Sequence, residues 1–193
     1  MTGFDASPGA VEAAVRSLFP ASVAVAVEAI AAAGTTDFWP EEATAMIGAV
    51  PKRLAEFRAG RMAARRARAE LGLAPVAVPM AADRAPVWPA GIKGSIAHAA
   101  DIAIAVASRT HVLGVDVEED AALDPELWPV ICLPEELARM PLTERGHLVR
   151  QVFAAKEAVF KAQDPDLRAM FGFDAVAVAL APGGFEAHFT CTV

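Results

Sequence analysis

Two carboxylates stand two residues apart in the apolar segment Gly-Val-Asp-Val-Glu at 114–118. The alternation predicts a strand, in which successive side chains point to opposite faces. Asp116 and Glu118 would then point the same way, with the neighbouring valines on the other face. The segment therefore offers two oxygen ligands on one side of a strand.

A second charged motif, Ala-Lys-Glu-Ala-Val-Phe-Lys at 155–161, predicts a helix. Glu157 and Lys161 are four residues apart, which places them on one helix face, and Lys156 borders that face. Together the two motifs supply three carboxylates and two lysines. This set suits a hard divalent cation that holds a phosphate, because Mg²⁺ prefers oxygen ligands and usually shares them with substrate phosphates.

Each motif also has a simpler interpretation. An isolated Asp-x-Glu is most often a solvated pair on an edge strand, and a Glu–Lys pair four residues apart is common on helix surfaces. The flanking residues favour the functional interpretation. Asp116 and Glu118 lie in an apolar strand, and Glu157 lies in a helix otherwise rich in alanine, valine and phenylalanine. Charges at these positions have little ordinary surface to occupy.

Composition narrows the class of protein. The chain has 193 residues, enough for one sizeable domain or two small halves, and its formal net charge of −7 argues against general nucleic-acid binding. The apolar stretch at 21–34 is too short and too interrupted to span a bilayer, and no signal peptide is visible. Cys132 and Cys191 form neither a disulfide framework nor a metal-ligand spacing. We expect a cytoplasmic protein that does not engage a membrane.

Basic residues nevertheless cluster in one predicted helix at 51–71, which Pro51 opens and Gly72 closes. Arg53 and Arg61 lie about two turns apart on this helix. Two interpretations stay open. The arginines either form a solvated face, since arginine is a good helix former, or they bind a localised anionic ligand or partner.

A glycine-punctuated loop at 88–98 leads into a predicted strand. Gly91 and Gly94 permit tight turns and let backbone amides approach a ligand closely. His98 can donate a hydrogen bond to a phosphate oxygen. Taken alone, such a pattern more often means an ordinary turn and a satisfied histidine.

The rest of the pattern predicts a mixture of helices and strands. Helices are predicted at 10–19, 51–71, 134–140 and 148–163, strands near 23–27 and at 112–118, one strand or a strand pair at 95–108, and a terminal hairpin at 175–180 and 185–192. The segment 73–89 carries four prolines and is predicted to be a loop. This order predicts an α+β fold.

Five segments, taken in order, resemble the 4'-phosphopantetheinyl transferase superfamily and, within it, the class associated with siderophore synthases. They are Phe-Trp-Pro-Glu-Glu at 38–42, Val-Pro-Lys-Arg at 50–53 with Glu56-Phe57 and Gly60-Arg61, the stretch at 84–91 with Gly94-Ser95-Ile96 and His98, the acidic motif at 114–118, and the helix at 153–161. The resemblance covers roughly 38–175. Five motifs in family order are a specific signal.

The resemblance implies a reaction. Such enzymes transfer the 4'-phosphopantetheine arm of coenzyme A to a serine of an acyl or peptidyl carrier protein and release adenosine 3',5'-bisphosphate. By motif position, Asp116, Glu118 and Glu157 would hold Mg²⁺ against the pyrophosphate, where the metal neutralises charge. Glu157, or a water on the metal, would be the base for the carrier serine. Glu157 and Lys161 are thus the expected catalytic residues.

The resemblance also implies the contacts with coenzyme A. Arg53 and Arg61 would bind its 3'-phosphate, which a guanidinium fork fits well. His98 would contact the pyrophosphate. Four further positions complete the expected set: Lys156 and Lys161 through phosphate oxygens, Arg84 before the Trp-Pro pair, and Ser95.

The family fold implies two similar α+β halves packed side by side. We place these pseudo-halves at about 1–110 and 111–193 of a single catalytic unit, 1–193, and expect a monomer.

One position departs from the family pattern, because Ser or Thr usually precedes the histidine and this chain has Ala97. Two other hypotheses therefore stand beside the transferase: a catalytically weakened relative that still binds coenzyme A, and a structural or interaction domain with charged surface motifs. The intact Asp116, Glu118 and Glu157 favour the transferase. The carrier protein, its pathway and the choice between Mg²⁺ and Mn²⁺ stay open.

Overall fold

The computed structural model describes residues 6–34, 38–163 and 170–190. It contains both helices and antiparallel sheets, so the prediction of a mixed α and β protein is confirmed. The chain divides into two compact units, Met1–Val115 (unit 1) and Asp116–Val193 (unit 2). Across the described ranges, none of the helices has the length and apolarity that a transbilayer span needs.

Unit 1 combines one long helix with a three-stranded sheet. Its elements are α1 (Pro8–Arg16), β1 (Ala24–Ala29), α2 (Pro40–Ala43), α3 (Pro51–Glu70), β2 (Lys93–Ala99) and β3 (Ile102–Ser108). The first helix begins earlier than predicted, because the Ser7 side chain accepts a hydrogen bond from the Ala10 amide at 3.4 Å and so caps it. The long basic helix ends as predicted beside Gly72, whose φ is +71°.

The sheet of unit 1 is antiparallel with the strand order β1-β3-β2. The predicted strand or strand pair at 95–108 is a pair, with Ser95 opposite Val106 and His98 opposite Ala103. A turn at Ala100, whose φ is +47°, joins the two strands. The segment 73–89 forms neither helix nor regular strand, which confirms the predicted loop.

Small side chains bring α3 close to this sheet. Ala63 and Ala67 on the helix and Ala105 on β3 are fully buried in one apolar cluster. A Cβ atom built on Gly60 would lie 3.0 Å from Cγ2 of Ile96, so a larger residue at that position would crowd the strand. Close packing therefore holds the basic helix directly against β2, the strand that carries His98.

Unit 2 pairs a long helix with a hairpin. Its elements are α4 (Trp128–Ile131), α5 (Pro134–Ala138), α6 (Arg145–Lys161), β4 (Val176–Ala181) and β5 (Gly184–Phe189). The predicted hairpin is confirmed as β4 and β5, and the last residues predicted for it lie outside the described ranges. The apolar face of α6 packs on the hairpin through Val149 and Val152, against Val176 and Val178.

The first turn of α6 lies tightly against the preceding loop. The Leu123 amide donates to the Gly146 carbonyl at 3.1 Å, and a Cβ atom at Gly146 would lie 2.8 Å from the Ala122 methyl. Trp128 adds a further tie, because its indole Nε1 donates to the Leu123 carbonyl at 2.8 Å. The loop that follows the acidic motif is thus held by the first turn of α6 and by α4, whose first residue is Trp128.

Candidate active site

The segment 112–118, which contains the acidic motif, does not form the predicted strand and belongs to no regular element of the described chain. A strand needs a hydrogen-bonded neighbour, and the sheet of unit 1 is made of β1, β3 and β2. The side chains of Asp116 and Glu118 are instead held by cations of α6. The prediction of a strand is therefore wrong, although both carboxylates face the helix that carries Glu157.

Asp116 forms a close ion pair with Lys161, whose ammonium donates to Asp116 Oδ1. The Asp116 side chain is 7% exposed, and its second oxygen, Oδ2, is buried without a hydrogen-bond partner among the described residues. A buried carboxylate oxygen without a partner is costly in an ordinary protein interior. Such an atom is suited to a ligand that brings positive charge.

Glu118 is paired with Arg150. Arg150 Nη1 donates to Glu118 Oε2 at 2.7 Å, and Arg150 Nε donates to the Ala121 carbonyl at 3.0 Å. The guanidinium thus bridges the carboxylate and the backbone of the following loop.

Glu157 lies half-buried on α6 and is close enough to Asp116 and Glu118 to be affected by their charges. Burial raises its pKa above the ordinary value; Lys161 lowers it, and the charges of Asp116 and Glu118 raise it further. The last two effects mean that the three carboxylates repel one another electrostatically. A cation among them would relieve this repulsion.

No three His, Cys, Asp or Glu side chains in 6–34, 38–163 and 170–190 are already arranged to hold a metal ion. The assignment of Asp116, Glu118 and Glu157 as metal ligands therefore stays a prediction. The donor set nevertheless fits a divalent cation, because it combines three carboxylates with the partnerless Oδ2 of Asp116.

Lys156 does not have the phosphate-binding position expected for it. Its side chain is 1% exposed, and its ammonium donates to the Glu136 carboxylate at 2.8 Å and to the carbonyls of Ile131 and Phe173, each at 2.9 Å. These three acceptors use all three donors of the ammonium group. Lys156 is thus an interior residue that joins α6 to its neighbours, and we withdraw its assignment as a phosphate contact.

Glu136 completes this buried pair. Its Oε2 also accepts the Leu133 amide at 2.6 Å, and its Oε1 accepts the Val178 amide at 2.7 Å. The pair therefore ties α5, α6 and β4 together through Glu136 and Lys156.

In unit 1, Arg53 and His98 meet. Arg53 Nη1 lies 3.0 Å from His98 Nε2 and 3.6 Å from Glu56 Oε2. Glu56 Oε2 in turn lies 3.9 Å from His98 Nε2. The structure thus brings two predicted ligand-binding residues together and adds a carboxylate to which the sequence interpretation gave no role.

Arg61 is almost buried, with 6% of the residue exposed. Its guanidinium carbon lies 3.9 Å from the centre of the Phe57 ring, and its Nε has no partner among the described residues. Burial lowers the pKa of Arg61 to about 10; Glu42 opposes that change, whereas Arg53 and Arg65 add to it. Arg61 therefore remains charged at neutral pH and retains an unused donor.

Arg84 and Arg53 line a common pocket of about 480 Å³. Its wall consists of Ala45, Met46, Ala49, Arg53, Met80 and Arg84. Arg84 has a φ of +71°, an uncommon backbone conformation for a residue other than glycine. Such conformations are found disproportionately at functional sites. The pocket is large enough for part of a small-molecule ligand.

Ser95 and His98 do not share a face of β2. Side chains alternate between the two faces of a strand, so residues 96 and 98 share one face and residues 95 and 97 the other. Ile96 contacts α3, so His98 lies on the face towards that helix. Ser95 is 3% exposed and Ala97 is 4% exposed, both on the face opposite to His98. The structure therefore does not place Ser95 beside the cluster of Arg53 and His98.

Two further residues support these clusters and were not assigned from the sequence. Glu42 is fully buried, pairs with Arg65 at 2.8 Å and accepts the Val78 amide at 2.9 Å, which fixes the loop that leads to Met80 in the pocket. The second is Arg150, which holds Glu118. The sequence motif at 38–42 includes Glu42, but its partners Arg65 and Val78 lie 23 and 36 residues away, so no local pattern indicates these contacts.

Two family models match the chain. Residues 40–108 match the 4'-phosphopantetheinyl transferase N-terminal domain, and residues 112–192 match the 4'-phosphopantetheinyl transferase superfamily. The first range includes Arg53 and His98, and the second includes Asp116, Glu118 and Glu157. The chain belongs to the 4'-phosphopantetheinyl transferase superfamily.

Curated relatives agree with this assignment. The chain is 37% identical over 162 residues to 4'-phosphopantetheinyl transferase Svp of Streptomyces mobaraensis and 35% identical over 155 residues to 4'-phosphopantetheinyl transferase Npt of Nocardia iowensis. Each match covers 78% of this chain and 65% of the relative. The chain thus spans less than two thirds of the length of these relatives.

A third relative, enterobactin synthase component D of Salmonella typhi, is 39% identical over 132 residues, which is 66% of this chain and 55% of the relative. The expected resemblance to the siderophore-synthase-type class is confirmed by this match.

Proposed function

We propose that this chain transfers the 4'-phosphopantetheine arm of coenzyme A to a serine of an acyl or peptidyl carrier protein and releases adenosine 3',5'-bisphosphate. The observation that carries the proposal is the state of Asp116. Its carboxylate is almost buried, one oxygen takes the ammonium of Lys161, and the other has no partner among the described residues. Family membership supplies the reaction that such a site would serve.

We assign the 3'-phosphate of coenzyme A to Arg53 and Arg61. Arg53 is partly exposed and lines the pocket with Arg84, which supplies a second positive charge there. Arg61 offers its unused Nε from the same helix. His98 would contact the pyrophosphate from β2. Ser95 has weaker support, because its side chain is buried on the opposite face of that strand.

We assign Mg²⁺ to Asp116, Glu118 and Glu157. When bound, the ion would neutralise charge on the pyrophosphate, which is the main requirement of phosphoryl transfer. Lys161 donates to Asp116 with one of its three ammonium donors, and we propose that the other two contact oxygens of the same pyrophosphate.

Glu157 is the proposed general base. It would accept the proton of the carrier serine hydroxyl while the serine oxygen forms a bond to the phosphorus that bears pantetheine. The bond from that phosphorus to the bridging oxygen breaks, and the electron pair leaves with adenosine 3',5'-bisphosphate. Burial is the main cause that raises the pKa of Glu157, and a cation bound beside it would lower that pKa and so favour the ionised form that a base needs.

The hypothesis of a weakened coenzyme A-binding relative rested on Ala97. Ala97 is 4% exposed and lies on the strand face opposite to His98, so a hydroxyl there would point away from that cluster. Ala97 therefore gives the weakened relative little support.

The finer expectations are also proposals. Each unit packs one long helix on an antiparallel sheet, α3 in unit 1 and α6 in unit 2, which supports two similar halves. The side-by-side packing, the boundaries at about 1–110 and 111–193, the monomer and the cytoplasmic location stay predictions.

The proposal is tested by intact-mass spectrometry of apo acyl and peptidyl carrier domains after incubation with the chain, coenzyme A and Mg²⁺. We expect a mass gain of one phosphopantetheine that disappears with EDTA. A chain that binds coenzyme A but modifies none of the carriers would contradict the transferase and favour the binding relative.

A further inference from the structure

One face of α6 carries the two cations that pair with the acidic motif, together with Glu157. Glu157 follows Arg150 by seven residues and Lys161 follows it by eleven. At 3.6 residues per turn, the three side chains leave the helix within about 40° of one another. Arg150 pairs with Glu118 and Lys161 pairs with Asp116. Each carboxylate of the acidic motif thus has its own cation on α6, yet the two cations are held differently.

Among the residues that the structure describes, Arg150 has a second hydrogen-bond acceptor, whereas Lys161 donates to Asp116 alone. Besides its bond to Glu118 Oε2, Arg150 donates from Nε to the Ala121 carbonyl at 3.0 Å. The rigid guanidinium therefore fixes Glu118 relative to the backbone of its own loop. Because only Oε2 takes part in this ion pair, Oε1 remains available to a further ligand.

The loop that carries Glu118 has two more attachments to the first turn of α6. The His147 Nδ1 and Asp120 Oδ1 atoms lie 3.2 Å apart, and the Leu123 amide donates to Gly146 at 3.1 Å. Asp120 is fully exposed, so this contact alone gives little restraint. Arg150 is the better-placed restraint on Glu118 itself, since its side chain is 22% exposed and that of Glu118 is 26% exposed.

We propose that Arg150 is a positioning residue that holds Glu118 in the orientation in which it binds the divalent cation. This inference rests on the proposed function, because it presumes that Glu118 is a metal ligand. Hydrogen-bond partners of metal ligands typically change metal affinity by about 10- to 100-fold when they are removed. Arg150 acts through Glu118 and touches neither substrate nor reacting atoms.

A simple counterion would behave in the opposite way. If Arg150 merely neutralised Glu118, it would compete with the cation, and its removal would strengthen metal binding. The variant Arg150→Lys distinguishes a positioning residue from a simple counterion. Lysine keeps the positive charge but lacks the planar guanidinium that reaches both Glu118 and Ala121.

The experiment measures Mn²⁺ binding by the electron paramagnetic resonance signal of free Mn²⁺, with coenzyme A present and no carrier. We expect the Mn²⁺ Kd to rise about 10- to 100-fold in Arg150→Met and to rise by a smaller factor in Arg150→Lys. Arg139→Met is the matched control, since Arg139 is an exposed arginine of the same unit, and its Kd should equal that of the wild type. Thermal melts establish that each variant is folded.

Steady-state transfer provides a second readout. Positioning predicts that Arg150→Met needs more Mg²⁺ for half-maximal rate while kcat at saturating Mg²⁺ stays close to the wild type. A tighter or unchanged Mn²⁺ Kd in Arg150→Met would overturn the inference while leaving the proposed function intact, provided that the wild type binds Mn²⁺. A wild-type chain that neither binds Mn²⁺ nor modifies a carrier would overturn the proposed function, and this inference with it.

Discussion

Arg53 donates to His98 across the interface of α3 and β2, with 3.0 Å between Nη1 and Nε2. An arginine side chain can only donate, so Nε2 of His98 accepts in this contact. The two residues were expected to bind different phosphates of coenzyme A. Their contact means that ligand binding at one of them affects the donors available at the other.

Substitution of Arg53 by alanine should raise the KM for coenzyme A by about 10- to 100-fold, because a hydrogen bond to a charged group contributes about 1.5–3 kcal/mol. The KM for 3'-dephospho-coenzyme A should change much less, since that ligand lacks the phosphate that Arg53 is proposed to bind. Steady-state kinetics with both ligands checks this. Arg58→Ala is the control on the same helix, where the guanidinium lies 4.7 Å from the centre of the Phe38 ring. Equal effects of Arg53→Ala on both ligands would exclude recognition of the 3'-phosphate.

Glu157→Gln should lower kcat by about 10²- to 10⁴-fold, the usual contribution of a positioned base. Stability should be kept or increased, because burial already raises the pKa of Glu157 and so disfavours its charged form. Carrier modification and a thermal melt measure the two effects. Glu119→Gln is the control, because Glu119 is the exposed residue that follows Glu118 in the sequence, and this variant should transfer at the wild-type rate. Wild-type turnover by Glu157→Gln would remove Glu157 from the mechanism.

Ala97→Ser restores the hydroxyl that the family pattern usually has before the histidine. We expect the KM for coenzyme A to stay within about twofold, because residue 97 is buried on the strand face opposite to His98. Stability should fall by about 1–3 kcal/mol if the new hydroxyl finds no partner. His98→Ala, measured in parallel, should raise the same KM. A marked gain of activity in Ala97→Ser would show that the missing hydroxyl weakens the enzyme.

Lys156→Met should destabilise the chain by about 3–5 kcal/mol, because it leaves the carboxylate of Glu136 buried without its charge partner. The double variant Lys156→Met/Glu136→Gln should lose less than the sum of the single losses. Chemical denaturation measures these differences. The folded fraction of Lys156→Met should bind coenzyme A with the wild-type Kd. Weaker binding at unchanged stability would restore Lys156 as a phosphate contact.

Cys132 should be unreactive in the folded chain. Burial raises the pKa of its thiol to about 11, with Glu136 adding to this increase and Lys156 opposing it. In a Cys191→Ser background, a thiol reagent at pH 8 should label the chain only after denaturation. Because the folded pKa lies above the unfolded value of 9.0, the contribution of Cys132 to stability is complete below pH 9.0 and is lost as the pH rises towards 11. The variant Cys132→Ala should not show this loss of stability between pH 9 and 11. Rapid labelling of the native chain would contradict a buried thiol.

The sequence predicted best those helices and strands whose ends are marked by proline or glycine. The basic helix was located within one residue of its observed bounds, because Pro51 and Gly72 have conformational preferences that act within a turn. The terminal hairpin was recognised from the alternation on both sides of its glycine turn.

The strand at 112–118 was mispredicted for a physical reason. Alternation describes which side chains share a face, yet a strand exists only where a neighbour supplies hydrogen bonds. The roles of Lys156 and Arg150 were equally inaccessible, because their partners Glu136 and Glu118 lie 20 and 32 residues away. Motif position assigned Lys156 to a phosphate, because a motif carries no information on which way the ammonium points, and that ammonium is held by Glu136.

Trp128, fixed by its indole bond to Leu123, is the single tryptophan in the sequence of unit 2, whereas Trp39 and Trp88 belong to unit 1. A Trp39→Phe/Trp88→Phe variant would therefore fluoresce from unit 2 alone. Its emission can be followed during denaturation beside the circular dichroism of the whole chain. Coincident transitions would mean that the two units unfold cooperatively, and separate transitions would mean that each unit has its own stability.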